Sequence, residues 1–238
     1  MRIDKLLANM GYGTRSEVKK LLKAGIVKVN DVPVKDAKQH VNPEADLVTV
    51  SGETVQYREF IYLMMNKPQG LLSATEDAVQ ETVIDLLEPE DAVFEPFPVG
   101  RLDKDTEGFL LLTNDGQLAH QLLSPKMHVD KVYFAVIEGE VIEDDIEAFR
   151  AGVLLEDGYM TKPGDLRILK AGAMSDVEVV ISEGKYHQIK RMFAARGKRV
   201  VFLKRISMGP LKLDEELELG QYRELTEEEL ALLRRRSE

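Results

Sequence analysis

A group of carboxylates in a polar loop is the feature of this sequence best suited to chemistry. The loop reads Gly100-Arg101-Leu102-Asp103-Lys104-Asp105-Thr106-Glu107-Gly108, and a turn containing Asp115 follows a short apolar run. An ionised carboxylate can attack a substrate covalently or abstract a proton from it. Residue types alone do not separate Asp103 from Asp105 or Asp115, since each could be an ordinary turn aspartate.

Other common sources of reactivity are missing from the sequence. The chain contains no cysteine, which excludes disulfides, thiolate nucleophiles and cysteine metal sites. The histidines are scattered, and no pair has the spacing of a helical zinc site; they are His40, His120, His128 and His187. The sequence therefore shows no recognisable metal site.

The charges are distributed unevenly along the chain. The net charge of −10 argues at first sight against a nucleic-acid partner. Between Glu183 and Lys212, however, the only acid is Glu183 and basic residues are frequent, whereas the segment from Asp214 onward is strongly acidic. Phosphate binding depends on the local electrostatic field. A protein that is acidic overall but has one basic face is therefore compatible with RNA binding.

A second basic group lies near the N-terminus. The segment Thr14-Arg15-Ser16-Glu17 has the pattern of a capping box and predicts the start of a helix. Arg15, Lys19 and Lys23 then follow at intervals of one helical turn, so their charges form a single stripe. Such a stripe can follow a phosphate backbone, although by itself it could equally be a solvated helix face.

The apolar pattern predicts the elements that position these groups. Residues 1–58 indicate two short helices and a small sheet, which form a separate module. The following elements are predicted beyond it: strands at 60–65, 131–137, 176–182 and 200–203, and helices at 82–87, at 186–196 and after Thr226. Strands and helices mix without strict alternation, which favours an α+β fold with mainly antiparallel pairing.

The N-terminal module resembles the alpha-L motif, a small RNA-binding module found in a ribosomal protein and in many RNA-modifying enzymes. The similarity lies in the segments Arg2–Leu7, Thr14–Glu17 and Gly25–Asn30. This resemblance implies that the helix carrying Arg15, Lys19 and Lys23 contacts RNA.

The remainder of the chain resembles the pseudouridine synthases. The loop from Gly100 to Gly108, followed by Thr113-Asn114-Asp115-Gly116, is similar to their catalytic motif. Further similar segments follow the family's order: Lys67-Pro68-Gln69-Gly70, Lys131-Val132-Tyr133, Glu183 to Met192, and Leu203-Lys204-Arg205. Ordered motifs along the whole chain are a specific signal. Within the family the pattern is closest to the enzymes that modify small-subunit (16S) ribosomal RNA.

The resemblance implies roles for individual residues. Asp103 is the catalytic carboxylate, and Lys190 is the cation paired with it, at a position where many relatives carry arginine. Tyr133 stacks on the target base once this has left its helical stack, and Leu203 packs near that base. Arg101 supports the backbone of the flipped nucleotide or fills the gap that it leaves. The implied reaction isomerises uridine and therefore requires no cofactor.

We expect an RNA-binding domain at residues 1–58 and a catalytic domain at residues 59–238. The expected partner is ribosomal RNA, either free or within a partly assembled small ribosomal subunit. No apolar run has the length of a membrane span, so we expect a cytoplasmic protein, and we expect a monomer. Two alternatives remain open: the same enzyme acting on large-subunit (23S) ribosomal RNA, and a non-catalytic RNA-binding ribosome-assembly protein.

Overall fold

The computed structural model describes residues 1–124 and 127–235, which form two compact units. The first unit comprises residues 1–61 and 87–96, and the second comprises residues 62–86 and the described residues from 97 onward. The boundary expected from the sequence, after residue 58, leaves residues 87–96 in the catalytic part, whereas the structure groups them with the first unit. The domain boundary itself remains a prediction.

The first unit contains short helices and a four-stranded antiparallel sheet. Its helices are α1 (Ile3–Asn9), α2 (Arg15–Lys23) and α3 (Pro89–Ala92). Its strands are β1 (Val27–Val29), β2 (Val32–Pro33), β3 (Val48–Val50) and β4 (Glu53–Thr54), in the order β2-β1-β3-β4. Buried apolar residues of α1, α2 and the sheet form one core, among them Ile3, Leu7, Val18, Leu22 and Val48. The predicted pair of helices and small sheet are confirmed.

Two local signals in the sequence explain the geometry of this unit. The backbone N–H of Glu17 donates to Thr14 Oγ1 at 3.4 Å, and the backbone N–H of Thr14 donates to Glu17 Oε2 at 2.7 Å. The capping box is therefore confirmed. Asn30 and Asp31 have φ angles of +50° and +64°. A tight hairpin turn requires this left-handed pair, which asparagine and aspartate tolerate, and it places β2 beside β1.

The second unit is built around a nine-stranded sheet. Its strands are β5 (Tyr62–Lys67), β6 (Phe97–Pro98), β7 (Glu107–Thr113), β8 (Lys131–Glu138), β9 (Asp165–Lys170), β10 (Met174–Ile181), β11 (Arg199–Met208), β12 (Leu211–Lys212) and β13 (Tyr222–Glu224). Its helical elements are a 3₁₀ turn (Val83–Leu86) and the helices α4 (Gly116–Leu123), α5 (Glu143–Ala151), α6 (Gln188–Ala195) and α7 (Glu227–Arg235).

The strand order explains how the carboxylate loop reaches the middle of this sheet. The main path is β13-β5-β7-β11-β8-β10-β9, in which β7 and β11 pair in parallel and the other neighbours pair antiparallel. The loop at residues 100–106 leads directly into β7, a central strand, and so lies beside β11 and near β8. The predicted α+β class with mainly antiparallel pairing is confirmed.

Gly108 permits the close approach of β7 to β11. Its φ angle is +104°, and a Cβ atom added there would lie 2.2 Å from the carbonyl oxygen of Arg205. No side chain fits at that distance, so glycine is required for both its backbone angle and its size. The end of the carboxylate loop is thereby fixed against β11.

Several elements differ from the sequence predictions: the helix predicted at 82–87 is a 3₁₀ turn (Val83–Leu86), and the strand predicted at 60–65 is Tyr62–Lys67. The segment around Asp115 was predicted as a turn alone, but Asp115 Oδ1 accepts a hydrogen bond from the backbone N–H of Leu118 at 3.0 Å and caps helix α4. Strand β11 extends from Arg199 to Met208. The predicted strand was limited to 200–203 because Lys204 and Arg205 interrupt the apolar pattern of the sequence.

Within residues 1–124 and 127–235, no helix is long and apolar enough to cross a membrane.

Candidate active site

A cavity of about 720 Å³ opens in the second unit. Its wall combines the loop from Gly100 to Lys104 with residues of β8, β11 and α6. All the candidate residues of the catalytic part line it, namely Arg101, Asp103, Tyr133, Lys190 and Leu203. These residues are up to about a hundred positions apart in the sequence, so the fold is what brings them together.

The apolar part of the wall lies on one face of the sheet. Tyr133 of β8 is directly opposite Arg205 of β11 in the antiparallel register, and Leu203 is two residues before Arg205. Because side chains alternate along a strand, these three point to the same face. Tyr133 and Leu203 are 7% and 5% exposed, so an aromatic ring and an aliphatic chain form a largely dry surface.

The structure separates the three aspartates that residue types could not separate. The side chain of Asp103 is 27% exposed and lines the cavity. Asp105 is 69% exposed and lies outside the lining. Asp115 caps α4 and accepts a hydrogen bond from the hydroxyl of Tyr62 at 2.8 Å, which is a structural role. Among these three carboxylates, Asp103 is the one that a substrate in the cavity can reach.

Lys190 of helix α6 is shared between two carboxylates of the loop. Its Nζ donates to Asp103 Oδ2 at 3.0 Å and to Asp105 Oδ1 at 2.5 Å. Burial lowers the pKa of Lys190, but the hydrogen bonds with Asp105 and Asp103 outweigh it, so the pKa lies above its ordinary value. Burial raises the pKa of Asp105, but the hydrogen bond and charge of Lys190 outweigh it and hold that pKa below its ordinary value. The cation therefore stays charged beside Asp103.

Lys67, at the end of β5, holds the backbone of the carboxylate loop. Its side chain is fully buried, and its Nζ donates to the carbonyl oxygens of Pro68, Asp103, Lys104 and Thr106 at 2.9, 3.2, 3.5 and 3.1 Å. Burial lowers its pKa to about 8, with the nearby carboxylates acting in the opposite direction. Four carbonyls converging on one ammonium fix the path of the loop on either side of Asp103.

Ser73 provides a second brace for the same loop. Its Oγ donates to the carbonyl oxygen of Leu102 at 3.0 Å and accepts the backbone N–H of Leu102 at 3.1 Å. The backbone N–H of Gly70 also donates to the carbonyl oxygen of Lys104 at 2.8 Å. The residues before and after Asp103 are therefore both anchored to the segment that follows β5.

Lys131 and Arg205 are among the further cations that line the cavity. Burial lowers the pKa of Lys131 to about 8, and the charge of Arg205 lowers it further. Arg205 is 2% exposed, and its Nε donates to the carbonyl oxygen of Phe109 at 2.8 Å. Sequence analysis assigned no role to either residue. Their positions carried a signal, since Lys131 and Tyr133, like Leu203 and Arg205, are two apart on a strand and so share a face.

No role was inferred for His187 from the sequence either. It precedes α6 with a φ angle of +47°, and its Nε2 lies 3.8 Å from Asp103 Oδ1. Among the described residues, no group of three or more histidine, aspartate or glutamate side chains could hold a metal ion. The cavity itself presents the carboxylate of Asp103 beside several cations and the ring of Tyr133.

The stripe of Arg15, Lys19 and Lys23 belongs to the first unit and does not line the cavity. All three side chains are exposed on α2, whose opposite face buries Val18 and Leu22 in the core. The exposed positions are four residues apart, so the charges lie along one side of the helix.

Comparisons with known proteins agree with this geometry. The model of the RNA pseudouridylate synthase family matches residues 61–195, and the model of the S4 domain matches residues 1–56. The chain is 60% identical to the "Uncharacterized RNA pseudouridine synthase YtzG" of Bacillus subtilis over 98% of both chains. It is 38% identical to "Ribosomal small subunit pseudouridine synthase A" of Escherichia coli, over 97% of this chain and 99% of that protein.

A solved structure gives the same result at the level of the fold. The chain matches a crystal structure described as a pseudouridylate synthase with a TM-score of 0.69 and 38% identity, over 98% of this chain and 99% of that one. The sequence resemblance, the placement of Asp103 and these similarities along nearly the whole chain lead to one assignment. The chain belongs to the RNA pseudouridylate synthase family and carries an S4 domain at its N-terminus.

Proposed function

We propose that this protein isomerises uridine to pseudouridine in the 16S RNA of the small ribosomal subunit, with Asp103 as the acting carboxylate. The observation that carries the catalytic part is the position of Asp103, in the cavity and 3.0 Å from Lys190. The choice of RNA is supported by the similarity to the Escherichia coli relative named for the small ribosomal subunit.

The reaction conserves all the atoms of the nucleotide. The bond between the ribose C1′ and the uracil N1 breaks, the base turns, and C1′ is joined to C5. The proton on C5 leaves and N1 gains one, so there is no net consumption of a co-reactant. The protein must therefore hold the detached base, stabilise the sugar while its bond is broken, and move one proton.

Asp103 meets the second of these needs. An ionised carboxylate can stabilise a cationic sugar or attack it covalently. The ammonium of Lys190 donates a hydrogen bond to this carboxylate at 3.0 Å and so places a positive charge beside it. The two braces, Lys67 and Ser73, act on the backbone of the loop, so the carboxylate is held in position before the RNA arrives.

The sheet face beside Asp103 meets the first need. The target base has to leave its stack to reach the cavity, and an aromatic ring can then receive it. In this proposal Tyr133 stacks on the base and Leu203 packs against its edge, both from a largely dry surface. Arg101, which is exposed on the loop, supports the backbone of the flipped nucleotide or fills the gap that the base leaves.

The exposed stripe of α2 supplies affinity for RNA outside the cavity. Arg15, Lys19 and Lys23 neutralise phosphates and release counterions, which strengthens binding without reading the base sequence. We propose that the protein acts as a monomer, on ribosomal RNA that is free or within a partly assembled small subunit.

The test is to map pseudouridines in both ribosomal RNAs of cells that lack the protein. We expect one site in 16S RNA to remain uridine, to be restored by the wild-type gene and to stay unmodified with Asp103→Asn. Loss of a site in 23S RNA instead would refute the proposed substrate. Restoration by Asp103→Asn would refute the proposed role of this residue, and an unchanged map would favour a non-catalytic RNA-binding protein.

A further inference from the structure

An exposed tyrosine lies at the rim of the cavity, stacked on a histidine. Tyr186 is 76% exposed, and its ring centroid lies 3.8 Å from that of His187, with 18° between the planes. Both residues line the cavity. Because His187 covers one face of the tyrosine ring, the opposite face is the one presented to solvent.

The turn that carries this pair is held firmly. The backbone N–H of Lys185 donates to Gln188 Oε1 at 2.8 Å, and Gln188 Nε2 donates to Glu183 Oε1 at 2.8 Å. Glu183 also accepts the hydroxyl of Tyr159 at 2.7 Å. His187 has a φ angle of +47°, a left-handed conformation that is unfavourable for a residue with a side chain. Such strain persists only where surrounding contacts enforce it, and it is concentrated at functional sites.

The surroundings of the stacked pair are cationic. Lys185 lies with its Nζ 4.9 Å from the centroid of the Tyr159 ring, and Arg101, Lys104 and Lys162 line the same cavity. A positively charged groove with aromatic rings along it is the arrangement by which proteins hold single-stranded nucleic acid. The rim therefore combines charge for the backbone with a ring for a base.

Tyr133 and Tyr186 both line the cavity, but they are placed differently. Tyr133 is 7% exposed on the sheet, whereas Tyr186 is 76% exposed at the rim. His187 is in contact with Tyr186 and also lies 3.8 Å from Asp103 Oδ1, so it connects the rim to the carboxylate. A nucleotide joined to a uridine held at Asp103 would consequently pass this rim.

We propose that the open face of Tyr186 is a stacking subsite for an RNA base next to the target uridine. The proposal rests on the proposed function, because the uridine bound at Asp103 is what brings its neighbour to the rim. Stacking on an aromatic ring is tolerant of base identity, so this subsite contributes affinity and positioning rather than sequence readout.

The experiment compares three substitutions of Tyr186 in the full-length protein. The probe is transcribed 16S RNA, and dissociation constants are measured at several salt concentrations. Tyr186→Ala and Tyr186→Leu are expected to weaken binding about tenfold, and Tyr186→Phe is expected to bind within about twofold of wild type, because only the ring is needed. Since the ring is exposed, all three variants should keep the wild-type unfolding midpoint.

Lys185→Met is the matched control on the same turn. It removes a cation, so the slope of log affinity against log salt should become shallower by about one. The Tyr186 variants should keep the wild-type slope, since stacking displaces no counterion. An affinity of Tyr186→Ala within twofold of wild type would overturn the proposal. So would an equal loss in Tyr186→Phe, which would point to the hydroxyl, or a change of slope like that of Lys185→Met.

The same samples separate this proposal from the proposed function. RNA labelled with tritium at C5 of uridine releases the label when C5 is joined to the sugar, so wild-type protein should release it. Absence of release contradicts the proposed function, whereas the binding of the three Tyr186 variants still tests the stacking subsite.

Discussion

The carboxylate loop, residues 100–108, and the basic face of helix α2 both depend on cations, but they use them in different ways. The loop is contacted by Lys67 of β5, which is fully buried, and by Lys190 of α6, which is shared between two of its carboxylates at 2.5 and 3.0 Å. On α2, Arg15, Lys19 and Lys23 are exposed to solvent. The loop therefore has one arrangement fixed by hydrogen bonds, whereas the α2 face offers charge that can adjust to a phosphate backbone.

This difference shows which of the two regions requires its cations in fixed positions. A buried ammonium must satisfy its hydrogen bonds, so its position is determined to within a few tenths of an ångström. An exposed cation acts through a screened field and tolerates movement. A substitution that keeps charge but changes shape should consequently harm the loop when it is made at the buried Lys67, and should have almost no effect on α2.

The largest effect is expected for Asp103→Asn. The substitution keeps the shape of the side chain but removes its charge and nucleophilic character, so the single-turnover rate should fall by roughly a thousandfold or more, with RNA affinity within several-fold of wild type. Asp105→Asn is the matched control, because it removes the other carboxylate on Lys190, and it should cost much less. If Asp105→Asn is the more damaging of the two, the catalytic role of Asp103 is wrong.

The next effect in size is expected for Lys67→Met. Buried carbonyls of the loop lose their donor, so the free energy of unfolding should fall by about 2 to 3 kcal/mol, and the rate should fall with it. Chemical denaturation and single-turnover kinetics measure the two losses. Lys67→Arg keeps the charge but is too large for a fully buried site, so it should fail as well. Wild-type stability in Lys67→Arg would show that the loop needs only a charge.

Lys67 also predicts a dependence of stability on pH. Its pKa is about 8 in the folded protein, against an ordinary value of 10.5. Between these values the unfolded chain binds more protons than the folded protein, so rising pH favours the folded state. The stability of wild type relative to Lys67→Met should therefore increase from about pH 8 to pH 10.5. A difference that stays constant over this range would mean that the pKa of Lys67 is not lowered.

A smaller effect is expected for Lys190→Met, which removes the cation shared by Asp103 and Asp105. The rate should fall by roughly tenfold to a hundredfold, the cost of about 1.4 to 2.7 kcal/mol in the barrier. The pKa of Asp105 should rise, because in the wild-type protein the hydrogen bond and charge of Lys190 lower it. Titration of the Asp105 carboxyl by NMR in wild type and Lys190→Met measures this rise.

Lys190→Arg keeps the charge at the rim of the cavity, where the side chain is 21% exposed and has room to adjust. This variant should therefore recover much of the activity that Lys190→Met loses. An unchanged pKa of Asp105 in Lys190→Met would argue against charge pairing as the role of Lys190. Arg191, one residue further along α6, would then be the next cation to test.

The smallest effect on catalysis is expected on α2. Replacing Arg15, Lys19 and Lys23 together by glutamine should weaken binding to transcribed 16S RNA about tenfold at moderate salt. The slope of log affinity against log salt concentration should become shallower by about two to three, roughly one for each phosphate contact. The rate at saturating protein should not change. The charge-preserving exchange Arg15→Lys, Lys19→Arg and Lys23→Arg should bind within about twofold of wild type. A large loss in this exchange would show that α2 reads a fixed geometry.

The sequence alone determined the local elements and the family of this protein. The capping box at Thr14 and the turn at Asn30-Asp31 depend on hydrogen bonds and backbone angles within a few residues, and both are present. The positions of most helices and strands follow from apolar periodicity in the same way. The family resemblance rested on motifs that can be read in order along the chain.

Elements whose pattern is broken by buried charge were harder to predict. Strand β11 was predicted as a short segment, since Lys204 and Arg205 look like solvent-facing residues. Arg205 is in fact buried, with its Nε bound to the carbonyl oxygen of Phe109 in the neighbouring strand. A charged residue can be buried only where other parts of the chain supply its partners, and no local pattern reports them.

Only the tertiary structure decided which groups form the site. From residue types Asp103, Asp105 and Asp115 were equivalent, and the fold placed the first in a cavity, the second in solvent and the third at a helix cap. The same holds for Lys67, whose four carbonyl partners reveal a brace that the segment Lys67-Pro68-Gln69-Gly70 does not specify by itself. Burial and long-range hydrogen bonds arise from strands that meet only in the folded sheet, which is why the sequence by itself could name candidates but could not choose among them.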